Sequence, residues 1–88
     1  MRILLVEDEP QLAQSVQEFV ESEGHICETA DTLSLALHLV DNGYDIIVLD
    51  LNLPDGNGLE VVRRVKSKGL NSGIIIVSAS AIDTVILK

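Results

Sequence analysis

Residues 44–58 read YDIIVLDLNLPDGNG, and this stretch decides the fold. Ile46, Ile47, Val48 and Leu49 form an unalternated apolar run, the pattern of a strand buried on both faces. The run leads straight into Asp50, a charge that is costly to bury without a partner. Pro54 to Gly58 then form a turn, with Pro54 presetting the backbone. Gly56-Asn57-Gly58 lacks the glycine spacing of a P-loop or a dinucleotide fingerprint, so it reads as a tight turn leading into a helix.

Working outward, Arg2 to Val6 is a short strand ending in Glu7, Asp8 and Glu9. Pro10 suits the first position of a helix, where its missing N–H is not needed. Leu12, Val16, Phe19 and Val20 recur at helical spacing up to Gly24. Residues 25–30, HICETA, are a second strand candidate, and Asp31 or Thr32 can cap a helix striped by Leu33, Ala36, Leu37 and Val40. Asn42-Gly43 closes that helix. After the central strand, Leu59, Val62 and Val65, with Val61 adjoining, mark a third helix that stops at Gly69. GIIIVS (73–78) is a fourth buried strand. The last ten residues fit either a helix face through Ile82, Val85 and Ile86 or a strand, TVILK.

Strands and helices therefore alternate, and the strands are apolar throughout. That is an α/β fold, a parallel sheet with helices on both faces. Right-handed crossovers cover both faces only if the chain reverses direction once across the sheet. With strand 2 on one side of strand 1 and strand 3 on the other, a crevice opens beyond their carboxyl ends, where Asp8 and Asp50 converge.

The chain has 88 residues, enough for one small domain. Apolar residues make up 47% but aromatic ones only 2%, so the core is built of Leu, Ile, Val and Ala. A net charge of -8 excludes direct nucleic-acid binding by this segment, because phosphate neutralisation needs Lys and Arg. Cys27 is the single cysteine and has no internal disulfide partner. The amino-terminal apolar run is too short for a secretory signal, and no stretch has the length of a membrane span. A cytoplasmic protein is expected, with no membrane partner. His25 and His38 have no ligand partner at metal spacing, and the basic residues around the third helix read as a solvated face.

Glu7, Asp8 and Asp50 at one crevice would repel, by roughly 4 kcal/mol for each pair about 4 Å apart at an effective dielectric near 20. Such a group must protonate, pair with a base or hold a cation. An all-oxygen ligand set suits Mg²⁺. The competing reading is that Glu7 to Glu9 merely place negative charge at a helix N-terminus. Position alone leaves both readings open.

The motifs together resemble the receiver domain of bacterial two-component response regulators. The likeness runs through ILLVEDEP, YDIIVLDLNLPDGNGLEVVRRV and IIIVSAS, nearly the whole chain. It rests on the acidic pair after strand 1, the D-x-x-x-P-x-x-x-G spacing from Asp50 to Gly58, and Ser-Ala after strand 4. It implies a doubly wound, flavodoxin-like sheet with strand order 2-1-3-4. It implies that Asp50 accepts a phosphoryl group from the phosphohistidine of a sensor histidine kinase. Asp8, Asp50 and the backbone carbonyl of Asn52 would be Mg²⁺ ligands, with Glu7 acting through water. The Ser78 hydroxyl would turn toward the phosphoryl group, and Ala79 would leave room for it. The chain would be a switch and not an enzyme, at most losing its own phosphoryl group slowly, and would control an output such as transcription through a DNA-binding domain.

Receivers continue through a fourth helix, a fifth strand ending in Lys, and a fifth helix. Nothing here matches that Lys, since Lys88 follows Ser78 too closely if a helix intervenes. Residues 1–88 are therefore expected to be a receiver truncated after the start of the fourth helix, without the fifth strand and fifth helix. Strand 4 is expected to be an unpaired edge, and part of one sheet face to lack its cover. A piece of a longer chain, or a homodimer or swapped oligomer, follows. The alternative function is a receiver-like interaction module that cannot complete the switch for want of the Lys.

Overall fold

In a computed structural model, residues 1–77 and 84–87 are described. The chain forms β1 (Arg2–Val6), α1 (Pro10–Ser22), β2 (Ile26–Ala30), α2 (Leu33–Leu39) and β3 (Ile46–Asp50). A short hairpin of β4 (Asn52–Leu53) and β5 (Gly56–Asn57) follows, then α3 (Leu59–Ser67), β6 (Gly73–Val77) and β7 (Thr84–Leu87). The main sheet has the order β2-β1-β3-β6-β7. Its first four strands run parallel, in the order expected of a doubly wound sheet.

The bare edge expected of β6 is corrected by β7, which pairs with it antiparallel from Ile74↔Leu87 to Val77↔Thr84. The apolar run TVIL suits a strand, and pairing satisfies backbone groups that an open edge would leave to solvent. No fifth parallel strand lies among the described residues. Of the helix face offered by Ile82, Val85 and Ile86, Val85 and Ile86 lie in β7 instead, and Ile82 falls outside the described residues.

Alternation along the strands splits the core into two layers. Leu4, Val6, Ile47, Leu49, Ile74 and Ile76 point to α2 and α3, against Leu33, Ala36, Val61, Val62 and Val65. Ile3, Leu5 and Cys27 point to α1, against Ala13, Val16 and Val20. That second layer is thinner: Ile46, Val48 and Ile75 are only half-buried, and Val77 is 43% exposed.

The α1 stripe read from the sequence needs a correction. Val16 and Val20 face the sheet, but Leu12 and Phe19 are 50% and 65% exposed. The Gln17 side chain donates to the Cys27 carbonyl at 2.9 Å, turning the 13/16/17/20 face inward. One residue step rotates a helix by about 100°. Ala13 and Gln17 therefore occupy the inward positions, and Leu12 and Phe19 are turned away from the sheet.

Local signals elsewhere hold. Thr32 caps α2 by accepting from the Leu35 N–H at 3.1 Å. Gly43 and Gly69 take the left-handed conformation where α2 and α3 stop. The far ends of these helices are tied by Asp41, which accepts from the Arg64 guanidinium at 2.8 and 3.2 Å and from Lys68 at 2.9 Å. Those cations, Arg64 foremost, hold the Asp41 carboxyl down at about 2. Near the amino ends of the strands, the Tyr44 hydroxyl and Arg2 both donate to Glu28, with Arg2 stacked 5.0 Å from the Tyr44 ring.

Burial sets a contrast that urea unfolding can read. Ile47→Ala should cost about 2–5 kcal/mol, as a fully buried residue between two strands. Phe19→Ala should stay within about 0.5 kcal/mol. Equal losses would mean that α1 packs through Phe19 after all.

Candidate functional site

Because β1 and β3 are parallel neighbours, their carboxyl ends open on the same side of the sheet. The register pairs Val6 with Leu49, so the next residues, Glu7 and Asp50, leave the sheet side by side. The Glu7 N–H is pinned to the Ala30 carbonyl at 2.9 Å, which fixes the exit from β1. Glu7, Asp8 and Asp50 each bring a carboxylate oxygen to within 4.8 Å of the others.

The two readings of the acidic run separate cleanly in space. Glu9 is the helix cap: its carboxylate accepts from the N–H groups of Gln11 at 3.3 Å and Leu12 at 2.7 Å. Glu7 and Asp8 turn instead to Asp50. The Glu7 carboxylate also accepts from the Glu9 N–H at 3.1 Å, which orients it.

Asp50 is 7% exposed, with Leu49 fully buried behind it. Its Oδ1 accepts from the Asn52 N–H at 3.1 Å, so the carboxylate and the start of the hairpin are set together. Asn57 accepts from the Leu59 N–H at 2.9 Å and starts α3. Gly58 lies directly under this junction. A Cβ there would stand 2.5 Å from the Asp50 carbonyl oxygen and 3.1 Å from the Leu51 Cα. Only glycine lets α3 begin so close to the strand end.

Three carboxylates at these separations repel by about 3–4 kcal/mol per pair at an effective dielectric near 20. Burial first, then the charges of Asp50 and Asp8, push the Glu7 carboxyl above its ordinary value, although the Glu9 N–H bond works the other way. Among the described residues, no ion pair reaches any of the three. Hard, anionic oxygens without a basic partner fit a small divalent cation such as Mg²⁺. Glu7 and Asp8 also line a groove of about 650 Å³ between α1 and the end of β2, whose walls include Glu18, Glu21 and Asp31. That field concentrates cations near the site.

A family model for the response regulator receiver domain matches residues 3–88. The chain belongs to the response regulator receiver family. It is 43% identical over 89 residues to the cell cycle transcriptional regulator CtrA of Caulobacter vibrioides, which covers 96% of this chain and 37% of CtrA. The chain thus spans about a third of the length of that relative. The receiver domain of HemR from Leptospira biflexa has the same fold, with a TM-score of 0.84 and 38% identity over 91% of this chain and 65% of that one. The response regulator TrrA in complex with the histidine kinase ThkA superposes with a TM-score of 0.81 at 34% identity, over 91% of this chain and 70% of that one. No helix among the described residues is long and apolar enough to cross a membrane.

In this receiver the structure brings Glu7, Asp8 and Asp50 together and sets Asn52 two residues beyond. Ser78, Ala79 and Lys88 lie outside the described residues. The register pairs Asp50 with Val77, the residue before Ser78. Two features escaped the sequence reading. Gly58 was legible as part of a turn, but its contact with the Asp50 carbonyl was not. Asp55 accepts from the N–H groups of Leu33 at 2.7 Å and Ser34 at 3.0 Å, capping a helix more than twenty residues earlier. A lone Asp after Pro signals a turn, but nothing local names so distant a partner.

Two predictions follow from this geometry. A carboxyl raised in the folded state contributes stability below its unfolded value and loses it as the pH rises through the folded one. The metal-free receiver should therefore lose stability as the pH rises above about 4.5 through the Glu7 titration. Added Mg²⁺ should reverse that loss, and Glu7→Gln should flatten it, read as Tm against pH. Separately, Gly58→Ala should cost about 1–3 kcal/mol in urea unfolding, because the new methyl meets backbone that cannot yield. A neutral Gly58→Ala would show that α3 does not begin where it is placed.

Proposed function

We propose that this receiver is a phosphorylation switch in which Asp50 accepts a phosphoryl group from the phosphohistidine of a sensor histidine kinase. The single observation that carries the reading is the pairing of a nearly buried Asp50 with Glu7 and Asp8 at the carboxyl end of the sheet. A carboxylate is a nucleophile at neutral pH without a base. Its oxygen forms the new P–O bond as the P–N bond to the imidazole breaks, and the imidazole leaves with the electron pair.

Asp8, Asp50 and the Asn52 carbonyl would hold Mg²⁺ directly, with Glu7 acting through water. The ion, when bound, neutralises charge on the phosphoryl oxygens. The chain's own residues do the positioning. Leu49 and the strand hold Asp50 rigid, the Asn52 N–H orients one oxygen, and the other is left for attack. The Ser78 hydroxyl would meet the added phosphoryl oxygens, and that movement is the switch. Support for the donor class comes from TrrA, a relative solved with a histidine kinase and also with Mg²⁺ and a beryllium fluoride.

The output is transcription, carried by a DNA-binding portion of a longer chain, in line with the regulators it resembles. The setting is cytoplasmic, and loss of the phosphoryl group by the receiver itself is slow. Incubation with a small phosphodonor and Mg²⁺, followed by intact mass measurement, tests the reading. A phosphoryl adduct should form on the wild type, fail to form when EDTA is present from the start, and be absent in Asp50→Asn. An adduct that survives Asp50→Asn would sink it.

A further inference from the structure

The hairpin after Asp50 is fastened at both ends. Its base is held by the Asn52 N–H on Asp50 at 3.1 Å and by the Gly58 N–H on the Leu51 carbonyl at 2.9 Å. Its two rungs pair Asn52 with Asn57 and Leu53 with Gly56, leaving Pro54 and Asp55 at the tip. The tip does not project freely. Asp55 lays both carboxylate oxygens on the first N–H groups of α2, Leu33 at 2.7 Å and Ser34 at 3.0 Å. Beside it, the Leu33 side chain lies so close to Gly56 that an added Cβ would stand 2.6 Å from Leu33 Cδ2. Leu53 is buried in the same core layer as Leu33.

These contacts do more than close a helix end. Thr32 already caps α2 through the Leu35 N–H, so Asp55 supplies a second, distant acceptor set. The segment that it fixes is the one that begins with Asn52, next to Asp50. We propose that Asp55 is a positioning residue for the metal site. Bound to the N-terminus of α2, it sets the hairpin so that Asn52 and Asp50 stand ready for the cation. Site occupancy and the first turn of α2 are then linked. By reciprocity, a cation that orders the hairpin tightens the Asp55 contacts, and loss of those contacts weakens the cation. The inference rests on the proposed Mg²⁺ site, not on the phosphotransfer itself.

The test is a Mg²⁺ titration followed by NMR, with amide hydrogen exchange at Leu33, Ser34 and Leu35. Asp55→Ala should weaken Mg²⁺ roughly 10-fold, the scale on which groups behind metal ligands act. Asp55→Asn, which keeps a neutral acceptor and guards against a variant that fails to fold, should fall in between. Thr32→Ala loosens the same helix end without touching the hairpin, and should leave Mg²⁺ affinity within about twofold of the wild type. In the wild type, Mg²⁺ should slow exchange at Leu33 and Ser34, and in Asp55→Ala it should not. Unchanged affinity in both Asp55 variants, or equal weakening in Thr32→Ala, overturns the positioning role while leaving the phosphorylation reading intact. Absence of Mg²⁺ binding by the wild type overturns the metal site, and this inference with it.

Discussion

A parallel sheet admits no tight hairpins between neighbouring strands, so each strand is reached by a crossover and all strands point the same way. Everything at the site follows from that constraint. The carboxyl ends of β1, β3 and β6 meet at one edge of the molecule, and chain segments that are distant in sequence arrive there together. Val6 beside Leu49, and Leu49 beside Ile76, form a fixed platform of apolar residues one step below the acidic exit. The carboxylates are therefore brought together by backbone ladders and not by attraction for one another. This matters because their mutual interaction is repulsive. Side chains that repel stay together only when the backbone under them cannot move.

The fastening is correspondingly dense on one side. Leu49 is fully buried, Gly58 presses α3 against the strand end, and Asp55 ties the intervening hairpin to α2. At its far end α2 is tied to α3 by Asp41 with Arg64 and Lys68. This second tie is exposed, so its strength is set by geometry and screened by salt. The depressed Asp41 carboxyl keeps it charged down to about 2. Helix α2 is thus held at its start by a carboxylate from the hairpin and, through Asp41 just past its end, by two cations of α3 and its C-terminal cap. A short helix of seven residues needs such external support, since few backbone bonds form within it.

Features encoded by adjacent residues were legible in the sequence; features encoded by meetings were not. The four buried strands, their order, the stops at Gly43 and Gly69, and the convergence of Asp8 with Asp50 all rest on local periodicity or on the handedness of crossovers. The α1 stripe was misread because Leu12 and Phe19 satisfy the same spacing as the true inward face. What decided between them was a polar contact, Gln17 to Cys27, which no hydropathy pattern contains. The edge of β6 was misjudged for a related reason. TVIL carries both helical and strand spacing, and the choice depends on whether an unpaired ladder is nearby. Asp55 lies between these cases: its residue type and place after Pro54 announce a turn, but the helix that it caps comes earlier in the chain.

The two layers of the core divide the labour at the site. On the α2–α3 side, strand residues are buried almost completely, and Asp50 inherits that rigidity. On the α1 side, among the described residues, only Ile3, Leu5 and Cys27 are buried, and α1 itself has no buried residue. Yet α1 begins at Pro10, just after Glu7 and Asp8, and its cap Glu9 donates its own N–H to Glu7. Asp50 therefore belongs to a rigid frame, while Glu7 and Asp8, anchored below by β1, lead directly into the entry of a thinly packed helix. Local opening draws on the elements with the fewest buried contacts. Here that is α1, so cation binding, by holding Glu7 and Asp8 against Asp50, would stabilise the weaker half of the fold from the stronger one.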